Sequence, residues 1–194
     1  HLYQGGVHDG TGYPEGDTYL EQWEALRVAE AEEMDAALWF GEWGGPPDQD
    51  GMDRYVDEVL DLSDRTMTGW AWWSWDPGGW SPVEPDGTTV SDNGRRLMRV
   101  QPRAVAGTPT AFRWDDENWV FTMSWDERDD ATGPTELAVP GGLYPDGFVA
   151  VLDGEAVSGD AWNHRTSVLR LDPDRSRPTH EVCIAEADDP SCES

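Results

Sequence analysis

The chain contains no lysine, only two cysteines and no long apolar segment. All 13 of its basic residues are arginine, and they are outnumbered by 40 acidic residues, which gives a net charge of −27 at pH 7. A negative field of this strength repels phosphate backbones and argues against nucleic acid as a partner. No apolar run approaches the ~20 residues that a transmembrane helix requires. The acidic excess indicates a strongly solvated surface and names no substrate by itself.

The two cysteines, Cys183 and Cys192, lie nine positions apart near the end of the chain. A metal site would need more ligands nearby than these two thiols. An isolated pair of this kind is typical of a local disulfide in a secreted protein. We therefore expect a disulfide, an extracellular protein, and neither a metal nor another cofactor.

The composition changes near residue 107. In the first part, apolar residues recur at helical spacing in some segments and form continuous runs in others. Helices are predicted from after Asp17 to Met34, at residues 52–66 and at residues 93–100, and strands at residues 1–3 (a strand end), 37–43 and 68–75. This alternation is the βαβ pattern of a parallel sheet. Three strands cannot be covered on both faces by so few helices, so we expect the C-terminal portion of a longer protein.

The second part consists of short β-rich runs separated by turn residues, which is typical of an antiparallel β-sandwich. Strands are predicted at residues 110–114, 119–125, 135–139, 148–152, 166–171 and 181–185. The predicted organisation is therefore an α/β domain at residues 1–106 and a β-sandwich domain at residues 107–194.

Four residues are candidates for chemistry. Glu42 ends a buried apolar strand just before a Gly-Gly-Pro-Pro turn, where a carboxylate is costly unless it is used, although a strand-end Glu can also reach solvent. Trp73 ends the next strand in a segment too rich in tryptophan for all of them to be core, so its flat face is a candidate for stacking on a sugar ring. His1 and Tyr3 share one face of the first strand end, as a site pair or a structural pair.

Together these segments resemble glycoside hydrolase family five. The resemblance rests on His1-x-Tyr3, on Gly-Glu-Trp-Gly at residues 41–44, and on Gly-Trp-Ala-Trp-Trp-Ser-Trp at residues 69–75. It implies strands six, seven and eight of a (β/α)8 TIM barrel. It also implies that Glu42 is the catalytic nucleophile, that His1 and Tyr3 hydrogen-bond it and the substrate, and that Trp73 forms the floor of the subsite for the reacting sugar.

The resemblance continues beyond the barrel. Residues 99–109 look like the junction that precedes a C-terminal β-sandwich in endoglycoceramidases, and residues 121–125, 134–140 and 144–148 look like that sandwich. One departure matters: the family's acid/base Glu lies in an Asn-Glu-Pro segment, and this chain has no Asn-Glu dipeptide. The resemblance therefore implies a missing N-terminal barrel portion as partner.

Three functions remain open. The first is a secreted retaining β-glycosidase that separates a glycan from a lipid aglycone, with a glycolipid substrate and transient contact with a lipid surface. The second is another family-five enzyme that cleaves a steryl glucoside or an oligosaccharide. The third is a carbohydrate-binding or structural chain. Turnover of a fluorescent ganglioside would favour the first, and glycan binding by the β-sandwich alone would favour the third.

Overall fold

The structure is a computed structural model that describes residues 1–76 and 79–192, and its chain divides into two compact units, His1–Leu97 and Met98–Ser194. The first unit has helices α1 (Gly5–Asp9), α2 (Tyr19–Met34), α3 (Met52–Arg65) and α4 (Asp92–Leu97) and strands β1 (Trp39–Trp43) and β2 (Gly69–Trp72). The three predicted helices are confirmed. Helix α1 is not predicted because its five residues bury only one side chain, Val7. Within the described ranges, no helix combines the length and apolar character needed to cross a membrane.

The two strands of the first unit are parallel. Trp39 pairs with Gly69 and Trp43 pairs with Trp72, with an irregularity in register between these pairs. The predicted strand end at residues 1–3 has irregular backbone, because a single hydrogen bond, from the Leu2 N–H to the Glu42 carbonyl at 2.8 Å, is too little for a ladder. That hydrogen bond nevertheless places the first residues of the chain beside β1.

Helix α3 forms much of the apolar core of this unit. Its buried face presents Tyr55, Val56 and Val59, which recur at helical spacing and are fully removed from solvent. They belong to one apolar cluster with Phe40 and Trp43 of β1. Burial of each such side chain stabilises the fold by about 1.5–3 kcal/mol, which holds β1 in a fixed position.

The second unit is built from two antiparallel sheets. Its strands are β3 (Gln101–Ala104), β4 (Gly107–Asp115), β5 (Val120–Glu127), β6 (Thr135–Ala138), β7 (Phe148–Leu152), β8 (Glu155–Ala156), β9 (Trp162–Asn163), β10 (Val168–Leu171) and β11 (Thr179–Glu186). One sheet has the order β3-β6-β10-β9 and the other has the order β4-β5-β11-β7-β8. Phe121, Met123 and Trp125 alternate along β5 into a core that also receives Leu137 and Leu169 from the other sheet. The unit is therefore a β-sandwich.

The boundary between the two units lies earlier in the sequence than the change in composition suggests. The division lies between Leu97 and Met98, whereas the change in composition predicts it between residues 106 and 107. The difference arises because β3 pairs with β6 and so belongs to the β-sandwich. Strand β3 is not predicted, since its four residues Gln-Pro-Arg-Ala carry no β-forming pattern.

The buried His180 contacts residues from two other segments of the β-sandwich. The His180 Nδ1 lies 2.8 Å from Asp153 Oδ2, and its Nε2 lies 3.2 Å from Glu127 Oε2. Arg175 in turn pairs with Glu127 at 3.1 Å. The imidazole thus joins β11 to the end of β5 and to the turn after β7, as expected for a buried polar group that must find partners.

The predicted disulfide is confirmed. Cys183 on β11 is bonded to Cys192, with 5.5 Å between their Cα atoms. Thiol labelling of the denatured, unreduced protein is expected to find no reactive thiol, and two after reduction. Because the bridge constrains the unfolded chain, replacing both cysteines by alanine should lower the free energy of unfolding by about 2–3 kcal/mol. Two reactive thiols before reduction would contradict this pairing.

Candidate active site

The structure brings Glu42, Tyr3 and His1 together at the end of β1. The Tyr3 hydroxyl donates a hydrogen bond to Glu42 Oε2 at 3.1 Å. The His1 Nδ1 lies 3.5 Å from the same oxygen. The Glu42 side chain keeps 33% of its accessible surface, so its carboxylate is held by neighbours and still open on one side.

Tyr3 is suited to remain a hydrogen-bond donor. Burial, the hydrogen bond to Glu42 and the charge of that carboxylate raise the pKa of Tyr3 to about 12. All three causes disfavour the phenolate, which would be poorly solvated and would face a negative oxygen. Tyr3 therefore stays protonated through the neutral pH range and donates to Glu42 throughout it.

His1 lies on the open side of this group. Its ring stacks on Tyr3 with 6.5 Å between ring centroids, and its side chain is 60% exposed. The imidazole Cε1 lies 3.9 Å from the position of a Cβ atom at Gly41, an ordinary contact distance, so the ring packs beside the residue before Glu42. His1 can therefore bond to Glu42 and still face a bound molecule.

The backbone of Trp73 is fixed beside β1, and its side chain is open. Its N–H donates to the Trp43 carbonyl at 2.8 Å, and its peptide bond to Ser74 is cis. A Cβ atom at Gly44 would lie 2.5 Å from the Trp73 carbonyl oxygen, so only glycine permits this close approach. The Trp73 side chain is 51% exposed, which leaves an aromatic face available for stacking.

Two further aromatic rings lie beside Tyr3, and neither is among the candidate site residues predicted from the sequence. Trp80 meets Tyr3 edge-on at 5.9 Å between ring centroids, and His8 lies 6.1 Å from it. Trp80 is 77 positions from Tyr3 in the sequence, so no local pattern links the two residues. Among the residues with described coordinates, no three His, Cys, Asp or Glu side chains are arranged to hold a metal ion.

Comparison with known proteins shows which family this chain resembles. Residues 99–184 match the model of the glycoside hydrolase family 5 C-terminal domain. Endoglycoceramidase I of Rhodococcus hoagii (strain 103S) is 32% identical over 109 residues, which are 56% of this chain and 21% of that protein.

Solved endoglycoceramidase structures are similar to this chain over most or nearly all of its length. Endo-glycoceramidase II from Rhodococcus sp., in its ganglioside GM3 complex, is 26% identical with a TM-score of 0.79, and 96% of this chain and 41% of that chain are covered. The lactosyl-enzyme intermediate of the same protein is 27% identical with a TM-score of 0.75, over 88% and 38% of the two chains.

A more distant match shares the fold alone. Sterylglucosidase 1 of Cryptococcus neoformans is 15% identical with a TM-score of 0.67, over 87% of this chain and 31% of that chain. This chain thus spans less than half the length of each of these relatives. It is similar to the endoglycoceramidases of glycoside hydrolase family 5, and its residues 99–184 match that family's C-terminal domain.

Proposed function

We propose that this protein is a secreted retaining β-glycosidase that cleaves the bond between a glycan and a lipid aglycone, and that this chain supplies the nucleophile, Glu42. The observation that carries the proposal is the contact of Glu42 with Tyr3 and His1 in a chain similar to endoglycoceramidases. The disulfide between Cys183 and Cys192 supports secretion, because such bonds persist in oxidising surroundings.

The contacts of Glu42 suit it to attack an anomeric carbon. Tyr3 and His1 both approach Oε2, which leaves Oε1 as the attacking atom. A neutral Tyr3 stabilises the ionised carboxylate and fixes its orientation, which is what a nucleophile in covalent catalysis requires. The bond from the anomeric carbon to the leaving oxygen breaks as the bond to Oε1 forms, and water later releases the sugar. The solved lactosyl-enzyme intermediate of endo-glycoceramidase II supports a covalent route here.

A retaining glycosidase needs a second carboxyl group about 5–5.5 Å from the first, to protonate the leaving oxygen and then activate water. The family's acid/base Glu follows an Asn, and this chain has no Asn-Glu dipeptide. We therefore assign the acid/base group to a barrel portion outside these 194 residues. In this assignment residues 1–3 follow strand six of a (β/α)8 barrel, β1 and β2 are strands seven and eight, and the strand ends carry the catalytic groups.

The substrate is assigned from similarity and from the exposed aromatic surface. Endo-glycoceramidase II has been solved with ganglioside GM3, which supports a glycolipid for this protein. Trp73 offers a half-exposed indole next to the strand that carries Glu42, suited to stacking on the reacting sugar. A lipid aglycone also implies transient contact with a lipid surface.

The test uses the native protein that carries these residues and a ganglioside with a fluorescent ceramide. Release of an intact oligosaccharide and free ceramide, identified by mass spectrometry, is expected. A steryl glucoside and a β-linked oligosaccharide are assayed in parallel. Exclusive turnover of either would overturn the glycolipid assignment, and glycan binding without turnover of any substrate would favour a binding protein.

A further inference from the structure

A closed path of contacts starts beside Glu42 and returns to its carboxylate. The ring of Trp43, the next residue in sequence, packs against Trp72 with 4.9 Å between ring centroids. The Trp72 Nε1 donates a hydrogen bond to the Trp80 carbonyl oxygen at 2.7 Å. The Trp80 ring meets Tyr3 at 5.9 Å, and the Tyr3 hydroxyl donates to Glu42 at 3.1 Å.

Trp80, like Tyr3, belongs to no helix or strand. Its backbone is nevertheless tied to β2, because its carbonyl oxygen accepts the hydrogen bond of the Trp72 indole. Its own indole is half-buried and turned toward Tyr3 at an interplanar angle of 61°, which is a favourable edge-to-face arrangement. A loop residue is thus held at a defined distance from the nucleophile's partner.

The other sides of the Tyr3 ring are also occupied. His1 stacks on it at 6.5 Å with an interplanar angle of 27°, and His8 lies at 6.1 Å and 48°. His1 and His8 are both exposed, so neither side chain is packed tightly enough to hold the Tyr3 ring in place. The half-buried Trp80 is therefore the neighbour best placed to fix the direction of the Tyr3 hydroxyl.

We propose that Trp80 is a positioning residue for the nucleophile, acting through Tyr3. Its indole edge fixes the Tyr3 ring, the Tyr3 hydroxyl fixes Glu42 Oε2, and Oε1 is thereby aimed at the sugar. This inference rests on the proposed function of Glu42, and it assigns Trp80 a role that is exerted through its contact with Tyr3.

Removal of the indole is expected to impair the chemical step more than binding. In Trp80→Ala the Tyr3 ring gains room to turn, and its hydroxyl leaves Glu42 for part of the time. Misplacement of a reacting group by about 1 Å lowers rates on the order of 10²-fold. We expect kcat to fall by about that factor with KM changed less than threefold. Trp80→Phe keeps an aromatic edge and should restore kcat to within about fivefold of the unmodified protein.

Trp119→Ala is the matched control. It also deletes a tryptophan, which is 46% exposed and lies in the β-sandwich unit. This variant should keep kcat and KM unchanged. A similar loss of kcat in Trp119→Ala, or no recovery in Trp80→Phe, would overturn the positioning role.

A second measurement needs no turnover. Tetranitromethane nitrates the phenolate form of tyrosine, so the rate at Tyr3 reports both its accessibility and its pKa. Burial is the largest cause of the raised pKa of Tyr3, and loss of Trp80 reduces that burial. Peptide mass spectrometry of the native protein that carries these residues should show Tyr3 nitrated at least fivefold faster in Trp80→Ala, and unchanged in Trp119→Ala.

The two measurements separate the outcomes. If the unmodified protein hydrolyses no glycoside, the proposed function fails, and nitration still decides whether Trp80 controls Tyr3. If Tyr3 nitration is the same in Trp80→Ala and the control, the positioning role is wrong, whatever the activity. If Trp80→Ala does not fold, Trp80→Phe decides: the role predicts near-normal kcat with slow nitration of Tyr3.

Discussion

Replacement of Glu42 by glutamine is expected to lower kcat for glycolipid hydrolysis by about 10⁴-fold or more, as deletion of a covalent catalyst does in other enzymes. Glutamine keeps the size of the side chain and can still accept a hydrogen bond from Tyr3. Glutamine cannot form the glycosyl-enzyme, so the loss of kcat measures the contribution of the nucleophile alone. Steady-state kinetics with a fluorescent ganglioside measure the effect.

Asp76→Asn provides a matched control for this change. It also neutralises one carboxylate, and Asp76 is an exposed residue just past the end of β2. This variant should keep kcat within about twofold. If Glu42→Gln retained more than a tenth of the activity, or if Asp76→Asn lost as much, Glu42 would not be the nucleophile.

Replacement of Trp73 by alanine is expected to lower kcat/KM by about 30- to 150-fold, which corresponds to about 2–3 kcal/mol of lost stacking in the transition state. The melting temperature should change little, because the Trp73 side chain is half-exposed and its backbone hydrogen bond to Trp43 is kept. Kinetics and thermal unfolding are measured on the same preparations, with Trp119→Ala as the control.

Thermal unfolding decides between the two roles of Trp73. A sugar platform loses kcat/KM and keeps its melting temperature. A much lower melting temperature in Trp73→Ala, with kcat/KM unchanged for the folded fraction, would show that the indole stabilises the core instead.

The parts of the fold with a strong local pattern could be predicted from the sequence. Helix α3 places apolar residues at a spacing of three and four, and β5 alternates apolar and polar residues over its length. The strand at Phe148–Leu152 has the predicted bounds. In each case the buried residues recur at the spacing of a helix or a strand, so the local sequence is enough to predict the element.

Other features depend on contacts between distant parts of the chain. Strand β3 exists because it pairs with β6, and β8 and β9 have two residues each, which is too short for a periodic pattern. The contact of Glu42 with Tyr3 spans 39 positions and follows from family resemblance rather than from spacing. The approach of Trp80 to Tyr3 depends on where a loop returns, and no local pattern specifies that.

Covalent trapping tests the role of Glu42 most directly. The native protein that carries these residues is incubated with an activated fluorinated glycoside, which forms a glycosyl-enzyme that hydrolyses slowly, and the labelled peptide is sequenced by mass spectrometry. We predict one sugar per protein, attached to Glu42, and no label in Glu42→Gln. A label on any other residue, or an active enzyme that takes no label, would contradict the assignment of Glu42 as the nucleophile.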